Sequence, residues 1–154
     1  MKITILAVGR LPRSPEVDLV KLYVERATAG GRALALGPVE VVEVEARKPG
    51  KGPEAEVLRP HLEGAHVIAC DEHGAQRTSR DFAGLIARLR DDGTRKLVLV
   101  IGGADGLDPV LLAQAHGKLA FGPQTWPHAL ARVMLAEQVY RAVTILAGGP
   151  YHRD

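Results

Sequence analysis

The chain has 154 residues, of which 46% are hydrophobic and 25% are charged, and its formal net charge is +2. This balance excludes a disordered chain, and the length favours a single domain spanning residues 1–154. The near-neutral total excludes no class of partner, because local patches of charge matter more than totals. The only cysteine, Cys70, excludes an internal disulfide and a multi-thiolate zinc site, and the spacing of the six histidines predicts no metal site.

No apolar run reaches the ~18 residues of a membrane span, so we expect no membrane association. The first segment, MKITILAVGRLPR, combines a basic residue with an apolar run of strand length, but it lacks a small-residue cleavage site. We therefore expect a strand at residues 3–8 and not a signal peptide. The lone cysteine fits a reducing compartment, and the expected localisation is cytoplasmic.

Strands and helices alternate along the first part of the chain. Ser14 followed by Pro15 predicts the start of a helix, and Gly30 with Gly31 predicts its end. The β-branched residues of segment 39–44 predict a second strand.

A basic loop, residues 47–53 (RKPGKGP), should lead into a helix that ends near Glu63. A third strand is predicted at residues 66–70, with a turn directly after it. Thr78 or Ser79 can cap the helix that follows. The apolar residues of that helix share one face: Phe82, Leu85, Ile86 and Leu89.

Residues 96–101 (KLVLVI) are apolar after the first position, as in a strand buried on both faces of a parallel sheet. Asp108 followed by Pro109 predicts a helix that ends by Gly117. A short strand near Leu119 and a long helix over residues 128–146 complete the series. The alternation predicts an α/β fold with a largely parallel sheet.

The segment IGGADG, residues 101–106, directly follows the most buried predicted strand. Ligands of open α/β sheets bind where strand ends meet loops, and Gly102 and Gly103 would let a ligand approach the main chain closely. The segment matches neither GxGxxG nor Walker A, so phosphate binding has little support. The alternative is a tight turn that needs glycine only for its backbone conformation, and the pattern by itself favours that alternative.

Two prolines, a glycine and two large aromatic residues lie in FGPQTWPH, residues 121–128. A stiff loop of this kind presents main-chain amides and carbonyls in a fixed shape, which suits the edge of an adenine and an apolar wall around it. The alternative is a hydrophobic lid in which Trp126 packs on the core, and the pattern by itself favours neither.

Polar and aromatic side chains cluster on the last helix and in the tail PYHRD: Arg132, Glu137, Tyr140, Arg141, Tyr151, His152 and Arg153. Arg132, Tyr140 and Arg141 cannot share one helix face, so some of them should face a partner or a ligand. The three tail side chains could stack on a base and hold phosphate. The alternative is a frayed end without function.

Two basic clusters, residues 47–51 and the arginines and lysine between residues 77 and 96, are candidate RNA contacts, although such residues more often solvate a surface. Cys70, at the end of an apolar strand, is expected to be a buried small hydrophobic residue and not a nucleophile.

Four segments together resemble the RlmH family of the SPOUT superfamily, which methylates N3 of a pseudouridine in 23S rRNA. The segments are MKITILAVGRL, LVIGGADGL, TWPHALARVMLAEQVYRA and PYHRD, and their order and spacing match across nearly the whole chain. The resemblance implies a mostly parallel sheet with helices on both faces and a C-terminal trefoil knot, which is a rare exception to the rules of chain connection.

The resemblance further implies that S-adenosyl-L-methionine is bound in the knot, against the ends of three strands. Carried over by position, the cofactor-binding residues are Cys70, Gly102, Gly103, Phe121, Gly122, Pro123, Gln124, Thr125 and Trp126. The family often has leucine in place of Cys70. Pro123 and Gln124 occupy positions that vary in the family, which contacts from the main chain would tolerate.

A homodimer is also implied, with the last helix at the interface and the tail of one subunit completing the active site beside the other's cofactor. The implied substrate is 23S rRNA within the assembled 70S ribosome. Methylation of an imide nitrogen needs alignment and a group that accepts the proton or stabilises the imidate. We hypothesise that His152 transfers the proton, Tyr151 positions the base, and Arg153 and Arg132 supply electrostatic support and hold phosphate.

Two other functions stay open at this point. A non-catalytic ribosome-binding or assembly factor would keep the SPOUT fold without turnover, and methyl transfer to ribosomes would separate it from the enzyme. A flavodoxin-like nucleotide-binding or signalling domain would have no affinity for S-adenosylmethionine.

Overall fold

The computed structural model describes residues 1–153, so that Asp154, the last residue of the PYHRD tail, lies outside the described residues. Strands and helices alternate along the chain as predicted, and a short 3-10 turn, Arg32–Leu34, follows the first helix. The elements are β1 (Lys2–Val8), α1 (Pro15–Gly31), β2 (Val39–Val44), α2 (Lys51–Leu62), β3 (His66–Gln76), α3 (Ser79–Asp91), β4 (Lys96–Ile101), α4 (Pro109–Gln114), β5 (Gly117–Ala120) and α5 (His128–Leu146).

The strands form one parallel sheet in the order β2-β1-β4-β3-β5. The side chains of β4, at the centre, alternate between two cores: Leu97, Leu99 and Ile101 face one, and Val98 and Val100 face the other. All five are 5% exposed or less, which confirms the prediction of a strand buried on both faces.

Helices cover both faces of the sheet. On one face, α1, α3 and α5 contribute Val20, Phe82 and Leu135 to the core, and on the other α2 and α4 contribute Leu58 and Leu111. Because all strands are parallel, their carboxyl ends meet at one edge of the sheet, which we call the carboxyl edge. The opposite edge is called the amino edge.

Three helix starts follow from side chains that cap free main-chain N–H groups. Ser14 Oγ accepts from the N–H of Val17 at 3.4 Å. Asp108 Oδ1 accepts from the N–H of Val110 at 2.8 Å. Thr78, and not Ser79, caps α3 and forms a reciprocal capping box with Asp81.

β3 differs most from the prediction. It does not end at residue 70 but continues to Gln76, and Cys70 and Ala75 both align with Leu119 of β5. The segment 71–74, predicted as a turn, therefore consists of extra residues within a strand that leaves its neighbour and pairs with it again. A single sequence does not show this return, because it depends on the position of β5.

Two helix boundaries also differ. α2 begins at Lys51, inside the predicted basic loop 47–53, and the N–H of Glu54 donates to the carbonyl of Gly50 at 3.1 Å to close its first turn. α4 ends at Gln114, before Gly117, because that glycine already begins β5. Within residues 1–153, no helix has the length and apolar character needed to cross a bilayer.

Candidate active site

A cavity of about 520 Å³ opens at the carboxyl edge, beside the ends of β3, β4 and β5. Parallel α/β sheets bind ligands at this edge, and the volume is typical of small-molecule sites. Eight of the nine residues predicted to bind the cofactor line it: Cys70, Gly102, Gly103, Phe121, Gly122, Gln124, Thr125 and Trp126. Pro123 belongs to the same loop but is not among the lining residues.

The wall that follows β4 depends on the absence of two side chains. A Cβ atom on Gly102 would lie 2.8 Å from the carbonyl carbon of Gly106 and 2.9 Å from Leu107 Cγ. A Cβ atom on Gly103 would lie 2.5 Å from the carboxylate oxygens of Glu54. Among the three glycines of segment 101–106, Gly106 alone needs glycine for its backbone conformation, because its φ is 80°. Close packing, and not a turn, is therefore the reason for glycine at positions 102 and 103.

The loop between β5 and α5, residues 121–127, forms another wall of the cavity. Trp126 Nε1 donates to the carbonyl of Phe121 at 3.1 Å, which closes the loop on itself. The Trp126 side chain is 39% exposed, so it does not pack in the core as a lid would. Gly122, Gln124, Thr125 and Trp126 carry main-chain N–H groups, and among the described residues none of these groups donates to a main-chain carbonyl. These donors are available to a ligand.

Cys70 lies at the end of the apolar part of β3 and lines the cavity. Burial raises the pKa of its thiol to about 12, so the thiol stays protonated and is a poor nucleophile. Cys70 is only partly buried, unlike the fully buried residue that was expected, but it packs against the apolar core; that it is not a nucleophile stays a prediction.

A second cavity, of about 540 Å³, adjoins the first across residues 119–122, which line both. A chain of polar side chains runs along it from α3 to α5. Ser79 Oγ donates to Gln138 Oε1 at 2.8 Å, and Gln138 Nε2 donates to Glu137 Oε2 at 2.9 Å. The second cavity gives room for another group beside a ligand in the first.

The C-terminal tail folds back on α5 and is held by three side chains, Glu137, Arg141 and Tyr151, which we call the tail clamp. Glu137 Oε1 accepts from the Tyr151 hydroxyl at 2.9 Å and from Arg141 Nε and Nη2 at 3.0 and 2.5 Å. The Arg141 guanidinium also lies 4.8 Å from the centroid of the Tyr151 ring. The tail thus has a defined place on α5 and is not a frayed end.

Two groups of the tail have a fixed hydrogen-bonding role. Burial and the hydrogen bond to Glu137 raise the pKa of Tyr151, so its hydroxyl remains a donor. Arg141 Nη1 lies 3.2 Å from His152 Nδ1. A guanidinium has no acceptor, so Nδ1 accepts this bond, and a neutral His152 carries its proton on Nε2.

Arg132 lies apart from the tail, contrary to its predicted place beside phosphate. Its side chain is 2% exposed; Nη1 donates to Glu43 Oε2 at 2.7 Å and Nη2 to the carbonyl of Gly9 at 3.0 Å. The guanidinium is enclosed because α5 packs against the ends of β1 and β2. Of the four predicted catalytic residues, the structure joins Tyr151 and His152 at the clamp and leaves Arg153 exposed.

Several residues of the site were not predicted to contact the cofactor, and two of them come from the start of α2. Lys51 lines the cavity, and the Glu54 carboxylate packs against Gly103. No local pattern indicates Glu54, because its contact joins segments that are far apart in the sequence. No group of three or more His, Cys, Asp and Glu residues within 1–153 is placed to hold a metal ion.

Comparison with known proteins defines the class first. The family model described as "Predicted SPOUT methyltransferase" matches residues 1–152. A crystal structure of a probable methyltransferase from Bordetella pertussis Tohama I shares the fold, with a TM-score of 0.55 and 19% identity, covering 92% of this chain and 96% of that one. The fold is that of a SPOUT methyltransferase.

Two relatives are similar along the whole chain. "Ribosomal RNA large subunit methyltransferase H" of Phenylobacterium zucineum (strain HLK1) is 77% identical, covering 100% of both chains. The protein of the same name from Caulobacter vibrioides is 70% identical, covering 100% of this chain and 99% of its own. The chain belongs to the RlmH family of SPOUT methyltransferases, and the resemblance seen in the sequence is confirmed.

Proposed function

We propose that the protein transfers a methyl group from S-adenosyl-L-methionine to N3 of a pseudouridine in 23S rRNA of the assembled 70S ribosome. The observation that carries the proposal is the meeting of the Gly102–Gly103 wall and the 121–127 loop in one cavity. The names of the relatives support ribosomal RNA as the substrate and the cytoplasm as the location. The pseudouridine and its N3 atom follow from the family resemblance.

The cavity fits S-adenosyl-L-methionine in shape and in chemistry. Gly102 and Gly103 line one side of the cavity without side chains, and Phe121 and Trp126 supply apolar walls. The N–H groups of residues 122 and 124–126 suit the acceptors at the edge of an adenine. When bound, this cofactor supplies an activated methyl group. The protein's own task is then alignment, which can contribute ~7 kcal/mol or more.

The tail residues take different parts in this proposal. Tyr151 positions the target base, and the exposed Arg153 holds phosphate. His152, whose Nδ1 accepts from Arg141, transfers the proton of N3 in this proposal. Acceptance of the N3 proton by Nδ1 requires its release from Arg141. Arg132 is a positioning residue, because its bonds fix the loops at the ends of β1 and β2.

We further propose a homodimer with α5 at the interface. Trp126 in the 121–127 loop is 39% exposed, Leu130 at the start of α5 is 41% exposed, and Leu19 of α1 is 41% exposed. Large apolar side chains at a surface are typical of subunit contacts. The clamp holds the tail along the same helix, so a symmetric dimer would bring each tail towards the partner's cavity.

A trefoil knot around the cofactor site is part of the proposal as well. Family membership supports the knot. The sheet order also supports it, because β5 pairs with β3, and the cavity lies at the end of β3.

Transfer of a tritiated methyl group tests the proposed function. Assembled 70S ribosomes and naked 23S rRNA are offered as substrates, and the labelled nucleotide is identified by mass spectrometry. We expect labelling of ribosomes at N3 of one pseudouridine. A protein that binds ribosomes and S-adenosylhomocysteine without transfer would be the non-catalytic factor. A protein that gives no calorimetric heat with S-adenosylhomocysteine would be neither.

A further inference from the structure

We infer that exposed cations at the ends of β1 and β2 form the surface on which phosphates of the substrate RNA lie. The residues, which we call the basic rim, are Arg10, Arg13, Arg47, Lys48 and Lys51, and all of them are exposed. The inference rests on the proposed function and extends it, because it gives the RNA a path beside the cofactor cavity.

The basic rim concentrates positive charge in a small part of the chain. Segments 9–13 and 45–51 contain its five cations and one carboxylate, Glu45, and hence four net positive charges. The whole chain has a net charge of +2, so the remainder is net negative by two. Glu45 pairs with Arg10 at 3.8 Å. Within residues 1–153, the other four cations of the rim form no ion pair. Such a field attracts a polyanion.

The sheet places the basic rim next to the cavity. Segment 9–13 follows β1 and segment 45–51 follows β2, so both lie at the carboxyl edge. In the order β2-β1-β4-β3, both also lie on the side of β4 away from β3. The N–H of Gly9 donates to the carbonyl of Val44 at 2.8 Å, which joins the two segments. Lys51 lines the cavity itself, and Glu54, one turn later on α2, packs against Gly103.

Buried Arg132 fixes the rim relative to the cavity. Glu43 Oε2 accepts from Arg132 Nη1 at 2.7 Å and from the N–H of Leu11 at 2.8 Å, while Arg132 Nη2 binds the carbonyl of Gly9. Arg132 lies on α5, which begins directly after the cavity loop 121–127. A base held at the cavity and a phosphate held at the rim would therefore keep a constant separation.

Charge also distinguishes the rim from the other side of the cavity. Asp71 and Glu72, in the irregular part of β3, and Asp105, after β4, line the cavity and would repel phosphate. An RNA strand whose base enters the cavity therefore leaves over β1 and β2. Its phosphates, and not its bases, are the groups that the rim recognises, because arginine and lysine contacts to phosphates position a nucleic acid without reading its sequence.

Matched triple variants test the inference. In the rim variant, Arg13→Gln, Arg47→Gln and Lys48→Gln remove three cations and leave Lys51 and the cavity intact. The control, Arg32→Gln, Arg59→Gln and Arg95→Gln, removes three exposed arginines near the amino edge. The measurements are KM and kcat for methylation of 70S ribosomes between 50 and 200 mM salt (about a Debye length of 14 to 7 Å) and the Kd of S-adenosylhomocysteine.

We expect the rim variant to raise KM for ribosomes about tenfold or more, and to lower the salt slope of log KM by roughly two, at ~0.7 per lost phosphate contact. Its kcat and its Kd for S-adenosylhomocysteine should equal those of the wild type, and the control should resemble the wild type throughout. An unchanged KM and slope, or equal losses in the control, would overturn the inference and leave methylation by the wild type untouched. A wild type without methyl transfer would instead overturn the proposed function.

Discussion

The cofactor cavity and the C-terminal tail are built in different ways. The cavity is formed largely by the main chain. It contains two glycines without room for a side chain and a loop whose N–H groups at residues 122 and 124–126 reach no main-chain carbonyl within residues 1–153. The tail is held by side chains, with three hydrogen bonds at the single oxygen Oε1 of Glu137. The two regions should therefore tolerate different substitutions.

A wall made from the main chain tolerates different side chains at its variable positions but no added Cβ at its closest contacts. A tail held by one carboxylate tolerates changes of neighbouring residues but not the loss of that charge. Substitutions in the cavity should therefore change cofactor affinity, and substitutions in the tail should change turnover. The following predictions test this separation.

The largest effect is expected from deletion of residues 151–154. Methyl transfer should fall by ~10²–10⁴-fold, which is the usual contribution of a positioned proton-transfer group, because Tyr151, His152 and Arg153 are removed together. The Kd of S-adenosylhomocysteine, measured by calorimetry, should be nearly unchanged, because none of these residues lines the cavity. Loss of cofactor binding in this variant would show that the two regions are not separate.

Gly102→Ala is the matching change in the cavity. Its Cβ would meet the main chain of Gly106 at 2.8 Å, and relief of such overpacking costs about 1–3 kcal/mol. Because Gly106 and Leu107 line the cavity, their displacement should raise the Kd of S-adenosylhomocysteine roughly ten- to hundredfold. The control is Gly52→Ala on α2, where no atom lies within 4 Å of the added Cβ. Equal affinities in the two variants would contradict the role of the β4 wall.

Glu137→Gln tests the clamp without shortening the chain. The change leaves a neutral acceptor opposite Arg141 and Tyr151, and loss of charge-assisted bonds costs about 1.5–3 kcal/mol. Turnover should fall about tenfold or more, with cofactor affinity unchanged. The control is Glu25→Gln on α1, whose carboxylate is exposed and pairs with Lys21 at 3.9 Å. Turnover as high as that of the control would show that the tail clamp has no part in catalysis.

The smallest effect concerns the amino edge, far from both regions. The His66 and His116 rings stack at 4.4 Å, and the N–H of Val67 donates to His116 Nδ1 at 3.0 Å. Burial and the neighbouring His116 lower the pKa of His66. As the pH falls, the unfolded chain therefore binds a proton at His66 at a higher pH than the folded protein does. The contribution of His66 to stability is complete above the ordinary histidine pKa and is lost as the pH falls through the lowered pKa of the folded protein.

His66→Gln should consequently lose less stability than the wild type between about pH 7.5 and 5.5, one unit either side of the ordinary histidine pKa of ~6.5. The measurement is the urea midpoint at each pH. Parallel losses in the two proteins would show that His66 has no part in the pH dependence.

The fold followed from the sequence wherever the local pattern was strong. The bounds of β2, β4 and α5 agree with the prediction, because β-branched and apolar runs and the flanking glycines and prolines act locally. The continuation of β3 to Gln76 was missed, because it depends on pairing with β5, a strand over forty residues away. α2 begins earlier than predicted because Gly50 supplies the carbonyl for its first turn.

The site was predicted in part for the same reason. Eight of the nine cofactor-binding residues that the family resemblance named line the cavity, since contiguous motifs carry them. The contact of Glu54 with Gly103 and the burial of Arg132 both depend on packing between segments that are distant in the sequence. No short motif predicts such packing. The sequence therefore predicts that Arg132 holds phosphate, whereas its partners in the structure are Glu43 and the carbonyl of Gly9.

The most direct test of the central claim, that one chain's cavity works with its partner's tail, is complementation between two inactive variants. Subunits with Gly102→Ala keep the tail but bind the cofactor weakly, and they are nearly inactive when S-adenosyl-L-methionine is supplied at or below the wild-type Kd. Subunits lacking residues 151–154 bind the cofactor and lack the tail. After dissociation and reassociation of an equal mixture, methylation of ribosomes should recover to about a quarter of the wild-type rate, since half of the dimers are mixed and each has one complete site. A mixture as inactive as its two components, although mixed dimers have formed, would contradict the account.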